Sequence, residues 1–255
     1  MSNMSESAHL NKRSIGDLVR ENYVFAGVLH YFGISFYRYE QKSLAEVCQQ
    51  FRINPQQLIQ ELENWAMRKE PSSEEFYLRP IEVLVAYLKK KHHFFLRHEL
   101  PFLSSMIDGI PANGGYADLL SDMKLVFPLF VDDFIHHIHE EESTLFKRIK
   151  MLQEVENNQY RLDEGLKILS QPSIVNLAEE HEVHDDEMEG IRKLTNGYML
   201  SEEAPMAIQV LYHELQHFEN ELVIHAKIEN DLLFPKAIEL EKEVKRKLTN
   251  KIRLN

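Results

Sequence analysis

The sequence predicts an all-α protein: an up-down-up-down four-helix bundle preceded by a small helical N-terminal domain. Two observations carry the prediction. Apolar residues recur at steps of three and four along most of the chain, and few stretches alternate at period two, which is the pattern of amphipathic helices. Gly and Pro number only nine each in 255 residues, and they fall between the periodic segments. Hydrophobic residues are 44% and charged residues 27%, a balance that excludes collagen-like and wholly disordered chains.

The N-terminal domain is read as residues 1–70. Ser14 to Phe32 reads as one helix stopped by Gly33. Ser43 and Glu46 have capping-box spacing and open a helix from Leu44 to Phe51. Asn54, Pro55 and Gln57 supply an N-cap, a proline at the first helical position and a Gln at the third, opening a helix to about Met67. Glu70-Pro71-Ser72-Ser73 reads as a linker. A segment this short makes a marginal core, so it docks on the rest of the chain or on a second copy, and a homodimer is one expectation.

The bundle is read as residues 78–250. Its helices run over about residues 80–108, 116–152, 173–198 and 203–248. A loop with Pro111, Gly114 and Gly115 separates the first two. Pro101, Pro128 and Pro235 fall inside helices, where proline costs about 3 kcal/mol unless the context compensates, so each is expected to mark a bend.

Acidic residues outnumber basic ones 41 to 29, a formal charge of -12 that disfavours nucleic acid and anionic lipid as partners. Met1 to Arg13 is polar and lacks a secretory pattern, and no apolar run approaches the roughly 20 residues of a membrane span. The single cysteine, Cys48, excludes an intrachain disulfide framework. A cytoplasmic protein is the expectation.

Thirteen histidines are the compositional anomaly, and eleven lie between His92 and His225. Histidine is the commonest metal ligand. The second bundle helix reads His137-Ile-His-Glu-Glu141-Glu-Ser-Thr-Leu145-Phe146. The fourth reads His225-Ala-Lys-Ile-Glu229-Asn-Asp-Leu-Leu233-Phe234. Both are H-x-x-x-E-x-x-x-L-F, with His and Glu one turn apart on one face and apolar neighbours on both sides. Such a pair alone means little, since His136 with Glu140 and His217 with Glu221 share the spacing and read as solvated contacts. It is the longer repeat, displaced by 88 residues, that singles out His137, Glu141, His225 and Glu229. His213 lies about 18 Å from His225 along a straight helix and reads with His217 as surface or supporting.

The other two helices each offer a choice. His93, His137, His181 and His225 are evenly spaced by 44, whereas periodicity with Leu88, Leu96 and Leu103 prefers His92. His181 competes with His184. Buried His and Glu on facing helices are costly unless something satisfies them. Two metal ions would do so. The mixed imidazole and carboxylate set suits a non-haem di-iron centre, oxo- or hydroxo-bridged, with dimanganese or dizinc as the alternative. Positions would remain for O₂ or NO.

These residues resemble the hemerythrin-like (HHE cation-binding) proteins. More narrowly, the chain is similar to the repair-of-iron-centres family, also called regulators of cell morphogenesis and NO signalling. The matching stretches are His93-x-x-x-Arg97-x-Glu99-Leu100-Pro101, His137-x-x-x-Glu141 before Leu145-Phe146, Glu180-His181 with the Ile191-Arg192-Lys193-Leu194-Thr195 tail, and His225-x-x-x-Glu229 before Leu233-Phe234-Pro235. The resemblance places iron ligands on His93, His137, Glu141, His181, His225 and Glu229, with the distance to Leu100-Pro101 selecting His93. It also covers Ser43-Leu44-Ala45-Glu46 and Asn54-Pro55-Gln56-Gln57-Leu58. Where the family usually carries two cysteines and two glycines, this chain reads Tyr37, Arg38, Tyr39 and Glu40. Cys48 reads as a small core residue.

The resemblance implies nitrosative and oxidative stress response and iron-sulfur centre repair, with iron-sulfur proteins as partners. The missing cysteines motivate an alternative: a di-iron O₂, NO or iron sensor without turnover. A metal-free helical interaction protein is the third reading. No residue is assigned a catalytic role.

Overall fold

The computed structural model describes residues 10–67, 73–112, 114–160, 167–168, 170, 172–182 and 188–253. The expected linker at residues 70–72 and His184 lie outside the described residues. Those described form an all-α protein with no strand; an isolated bridge joins Ser14 and Ser43. No helix among them is long and apolar enough to cross a membrane. The chain divides into two compact units.

One unit comprises Met1–Glu70, Phe94–Leu129 and Glu189–Glu219. Helices α1 (Ile15–Glu21) and α2 (Val24–Tyr31) occupy the stretch expected to be one helix. The break is at Asn22, whose backbone is extended and whose side chain accepts from the Val24 N–H. An Asn side chain that takes a backbone donor this way competes with the helix ladder. The capping box at Ser43 opens α3 (Leu44–Phe51), and Asn54 caps α4 (Pro55–Ala66), both as read from the sequence. Ile15 N–H donates to Lys42 and Gly16 N–H to Glu40. A Cβ on residue 16 would lie 3.0 Å from the Glu40 carbonyl oxygen, a tight contact that glycine avoids. Cys48 is fully buried, and burial pushes its thiol pKa up.

The other unit comprises Pro71–His93, Phe130–Met188 and Asn220–Asn255. It holds the short α5 (Ser73–Tyr77) and, except for Phe94, α6 (Ile81–Phe94). It also holds the C-terminal part of α8 (Ala117–Glu141), then α9 (Lys147–Glu156) and α10 (Ile174–Glu182). The end of α12 (Met206–Ile228) and all of α13 (Phe234–Arg253) complete it. The remaining helices, α7 (Leu100–Gly109) and α11 (Glu189–Leu194), belong to the first unit. The core of this second unit joins Leu84 and Leu88 of α6 to Leu145, Phe146, Ile149, Ile228, Leu233 and Phe234.

Three π turns interrupt the long helices: Phe95–Glu99, Glu142–Phe146 and Glu229–Leu233. Two of them explain prolines. Pro101 and Pro235 are each the second residue of the helix that follows a π turn. Proline lacks an N–H and clashes with the carbonyl four residues back. Those carbonyls belong to Arg97 and Asp231, inside the wider turns, where the α-helical pairing is already broken. Helix α8 continues through Pro128.

A buried network ties α9, α10 and α13 together. Arg148 donates to the Ile168 carbonyl and to Glu241 (2.8 Å each), and Glu241 accepts from the Ile174 N–H (3.2 Å). Burial acts to raise the Glu241 pKa. The hydrogen bonds from Arg148 and Ile174 and the nearby Lys245 outweigh it and hold the carboxyl below its usual range. Glu241 therefore stabilises the fold above its unfolded pKa, and that contribution is lost as pH falls through the folded value. Glu241→Ala leaves a buried guanidinium uncompensated and should lower stability by about 3 kcal/mol in chemical denaturation. Glu241→Gln should flatten the acid limb of a stability-against-pH curve.

Candidate metal centre

Six side chains of the second unit converge. One donor atom from each of His92, Glu141, His225 and Glu229 can be chosen so that all four lie within 4.8 Å of one another, and all four residues are buried. His92 Nε2 is 3.1 Å from His225 Nε2 and 3.3 Å from Glu141 Oε2. His225 Nε2 is 2.8 Å from Glu229 Oε1. On the other side His181 Nε2 is 3.4 Å from Glu229 Oε2, and the His137 and His181 rings have centroids 5.4 Å apart. The two glutamates thus stand between a His92–His225 pair and a His137–His181 pair.

The helical repeat positions this set. His137 and Glu141 are one turn apart at the end of α8, and His225 and Glu229 span the end of α12. The terminal residues of both copies pack on histidines. Phe146 lies parallel to the His92 ring at 5.6 Å, and Phe234 meets the His181 ring edge-on at 5.3 Å. The His137–His181 side borders a cavity of about 250 Å³ whose wall includes Glu141, Thr144 and Leu177.

The structure corrects one expectation: His92, not His93, enters the cluster, and His93 is exposed. Leu84, Leu88 and His92 form one buried stripe at steps of four. His93, the choice that the resemblance implies, lies about 100° around the helix from that stripe and faces away from it. His213 and His217 are half exposed, beside Glu214 (3.2 Å) and Glu99 (3.8 Å) respectively.

Two features escaped the sequence reading. His92 Nδ1 lies 2.9 Å from Glu142 Oε1. Lys91 and Glu221 form a buried ion pair. The first is foreshadowed only by the Glu140-Glu141-Glu142 run, and the second by nothing in the local pattern.

Electrostatics make the cluster receptive to cations. Burial and the neighbouring charge of His225 depress His92 to about 4, against the opposing pull of Glu142, so the imidazole is neutral. Burial pushes the Glu141 carboxyl well up, and the charge of Glu229 pushes the same way. Burial also acts to raise Glu229, but the charge of His225 and the closeness of His181, His225 and Glu141 hold it well down. Two buried carboxylates this close cannot both ionise without a countercharge. No described residue gives either Glu141 oxygen an aligned hydrogen bond. Buried acceptors left in this state are costly, and imidazoles beside carboxylates are a donor set that divalent metals take. The residues fit a metal centre.

The comparisons agree with that chemistry. No family model matches the chain. Among curated proteins, the iron-sulfur cluster repair protein YtfE of Yersinia pseudotuberculosis serotype IB (strain PB1/+) is 24% identical over 175 residues, covering 68% of this chain and 73% of the relative. The proteins of that name from Yersinia pseudotuberculosis serotype O:3 (strain YPIII) and Yersinia pestis (strain Pestoides F) match to the same extent. The chain is thus similar, at 24% identity, to proteins named iron-sulfur cluster repair protein. This is the group that its histidine and glutamate motifs resemble.

The metal-free electrostatics make a paired prediction. Glu141→Gln removes a carboxyl whose pKa burial and Glu229 push well up, so it should change metal-free stability by less than about 1 kcal/mol. Glu229→Gln removes the ionised acceptor of two histidines and should cost about 1.5–3 kcal/mol. Denaturation of both variants in chelator checks the asymmetry.

Proposed function

We propose that this chain holds a non-haem di-iron centre on His92, His137, Glu141, His181, His225 and Glu229, and that it serves iron-sulfur centre repair under nitrosative or oxidative stress. The observation that carries the reading is the pair of buried, facing carboxylates flanked by two histidine pairs. The name of its curated relatives supports the repair role. Glu141 and Glu229, with His92 and His225 on one side and His137 and His181 on the other, would hold the metal.

Iron bound there would supply redox chemistry, Lewis acidity and open positions for NO or O₂. The chain's own residues do the rest. Phe146 covers one face of the buried His92 ring, and Phe234 packs edge-on against His181. The cavity beside His137 and His181 suits a small ligand. Residues 37–40 offer no thiolate and Cys48 is sealed in the core, so the proposed role runs through the His and Glu cluster alone. Iron-sulfur proteins are the partners this role implies.

Protein purified under reducing, anaerobic conditions and supplied with Fe(II) should hold about two irons per chain by elemental analysis. Glu141→Ala with Glu229→Ala should abolish that binding while leaving far-UV circular dichroism intact. Wild-type protein that stays folded and takes up no Fe(II) would overturn the reading.

A further inference from the structure

We propose that Glu142 is a positioning residue for the metal centre: its carboxylate fixes the proton of His92 on Nδ1 and so leaves Nε2 bare toward the cluster. The inference rests on the di-iron reading and adds a residue that the ligand set does not contain. His92 is held from both sides by adjacent glutamates. Glu141 Oε2 lies 3.3 Å from Nε2, and Glu142 Oε1 lies 2.9 Å from Nδ1. Consecutive residues of an α-helix point about 100° apart. The π turn that begins at Glu142 is wider, so its residues rotate less per step, and both carboxylates reach the same imidazole.

The tautomer follows from donor and acceptor capacity. A neutral imidazole donates from one nitrogen and accepts at the other. A carboxylate oxygen 2.9 Å from Nδ1 is placed as its acceptor, so the proposal puts the hydrogen on the nitrogen facing Glu142. Nε2 then presents its lone pair toward the cluster, 3.1 Å from His225 Nε2. The stacked Phe146 ring holds the imidazole plane, with 7° between the two rings, and keeps Nδ1 turned to Glu142. Glu142 itself remains partly exposed at the rim, with its side chain 38% accessible, so it can orient His92 without becoming a buried charge. Outer carboxylates that hold a ligating imidazole typically contribute 10- to 100-fold in metal affinity.

The test uses the full chain and two readouts. Long-range ¹H–¹⁵N correlation spectra of the metal-free protein report which ring nitrogen of His92 carries the hydrogen. Competition between the protein and a chromophoric Fe(II) chelator reports affinity. Wild type should show His92 protonated at Nδ1. Glu142→Ala should shift the proton toward Nε2 and weaken Fe(II) binding about 10- to 100-fold. Glu142→Gln keeps a carbonyl acceptor and should recover part of both effects, which a general packing role would not produce. A wild-type proton on Nε2, an unchanged tautomer in Glu142→Ala, or an unchanged affinity would each overturn the proposal. Wild-type protein that binds no Fe(II) would instead remove the di-iron reading beneath it.

Discussion

Two carboxylates, Glu141 and Glu229, face each other in a place that water scarcely reaches, and the rest of the unit is organised around that conflict. Like charges at such range force one group to take a proton or both to share a cation. In the metal-free protein burial and Glu229 push the Glu141 carboxyl well up, while His225 and the other neighbours hold Glu229 well down. The arrangement is costly by itself, and a centre of this kind persists only where surrounding packing over-determines it. Leu145, Phe146, Leu233 and Phe234 supply that packing, from equivalent places in the two copies of the repeat.

The π turns belong to the same economy of strain. Wider turns bond less well than α turns and are kept mainly at functional sites. Here two of them begin at Glu229 or immediately after Glu141. They let the chain turn both Leu-Phe pairs inward after the glutamates, and they bring Glu142 behind His92. The buried Lys91–Glu221 pair lies on the same two helices, one residue before His92 and one turn before His225. Replacing such a pair by apolar residues is often neutral for folding, so its value here is the fixed register of those helices rather than net stability.

Much of this was legible in the sequence, for a physical reason. The His-to-Glu spacing lies wholly within regular α-helix or ends where the π turn starts, so the repeat keeps its meaning and identifies four of the six clustered side chains. Capping at Ser43 and Asn54 is local chemistry and was equally readable. The choice of His93 rests on a motif match to Leu100-Pro101, whereas the buried face of the helix is set by the apolar stripe Leu84, Leu88 and His92. The helix break at Asn22 depends on one side-chain hydrogen bond competing with the ladder. Ion pairs such as Lys91–Glu221 and Arg148–Glu241 join residues distant in sequence, and neither partner's neighbourhood names the other.

The donor set can be tested atom by atom. The most direct measurement is a crystal structure of the Fe(II)-loaded protein with anomalous difference maps on both sides of the iron edge. The account predicts two iron peaks bridged by Glu141 and Glu229, with His92 Nε2 on one of them and His93 in solvent. A single peak, none, or iron held by His93 would contradict it.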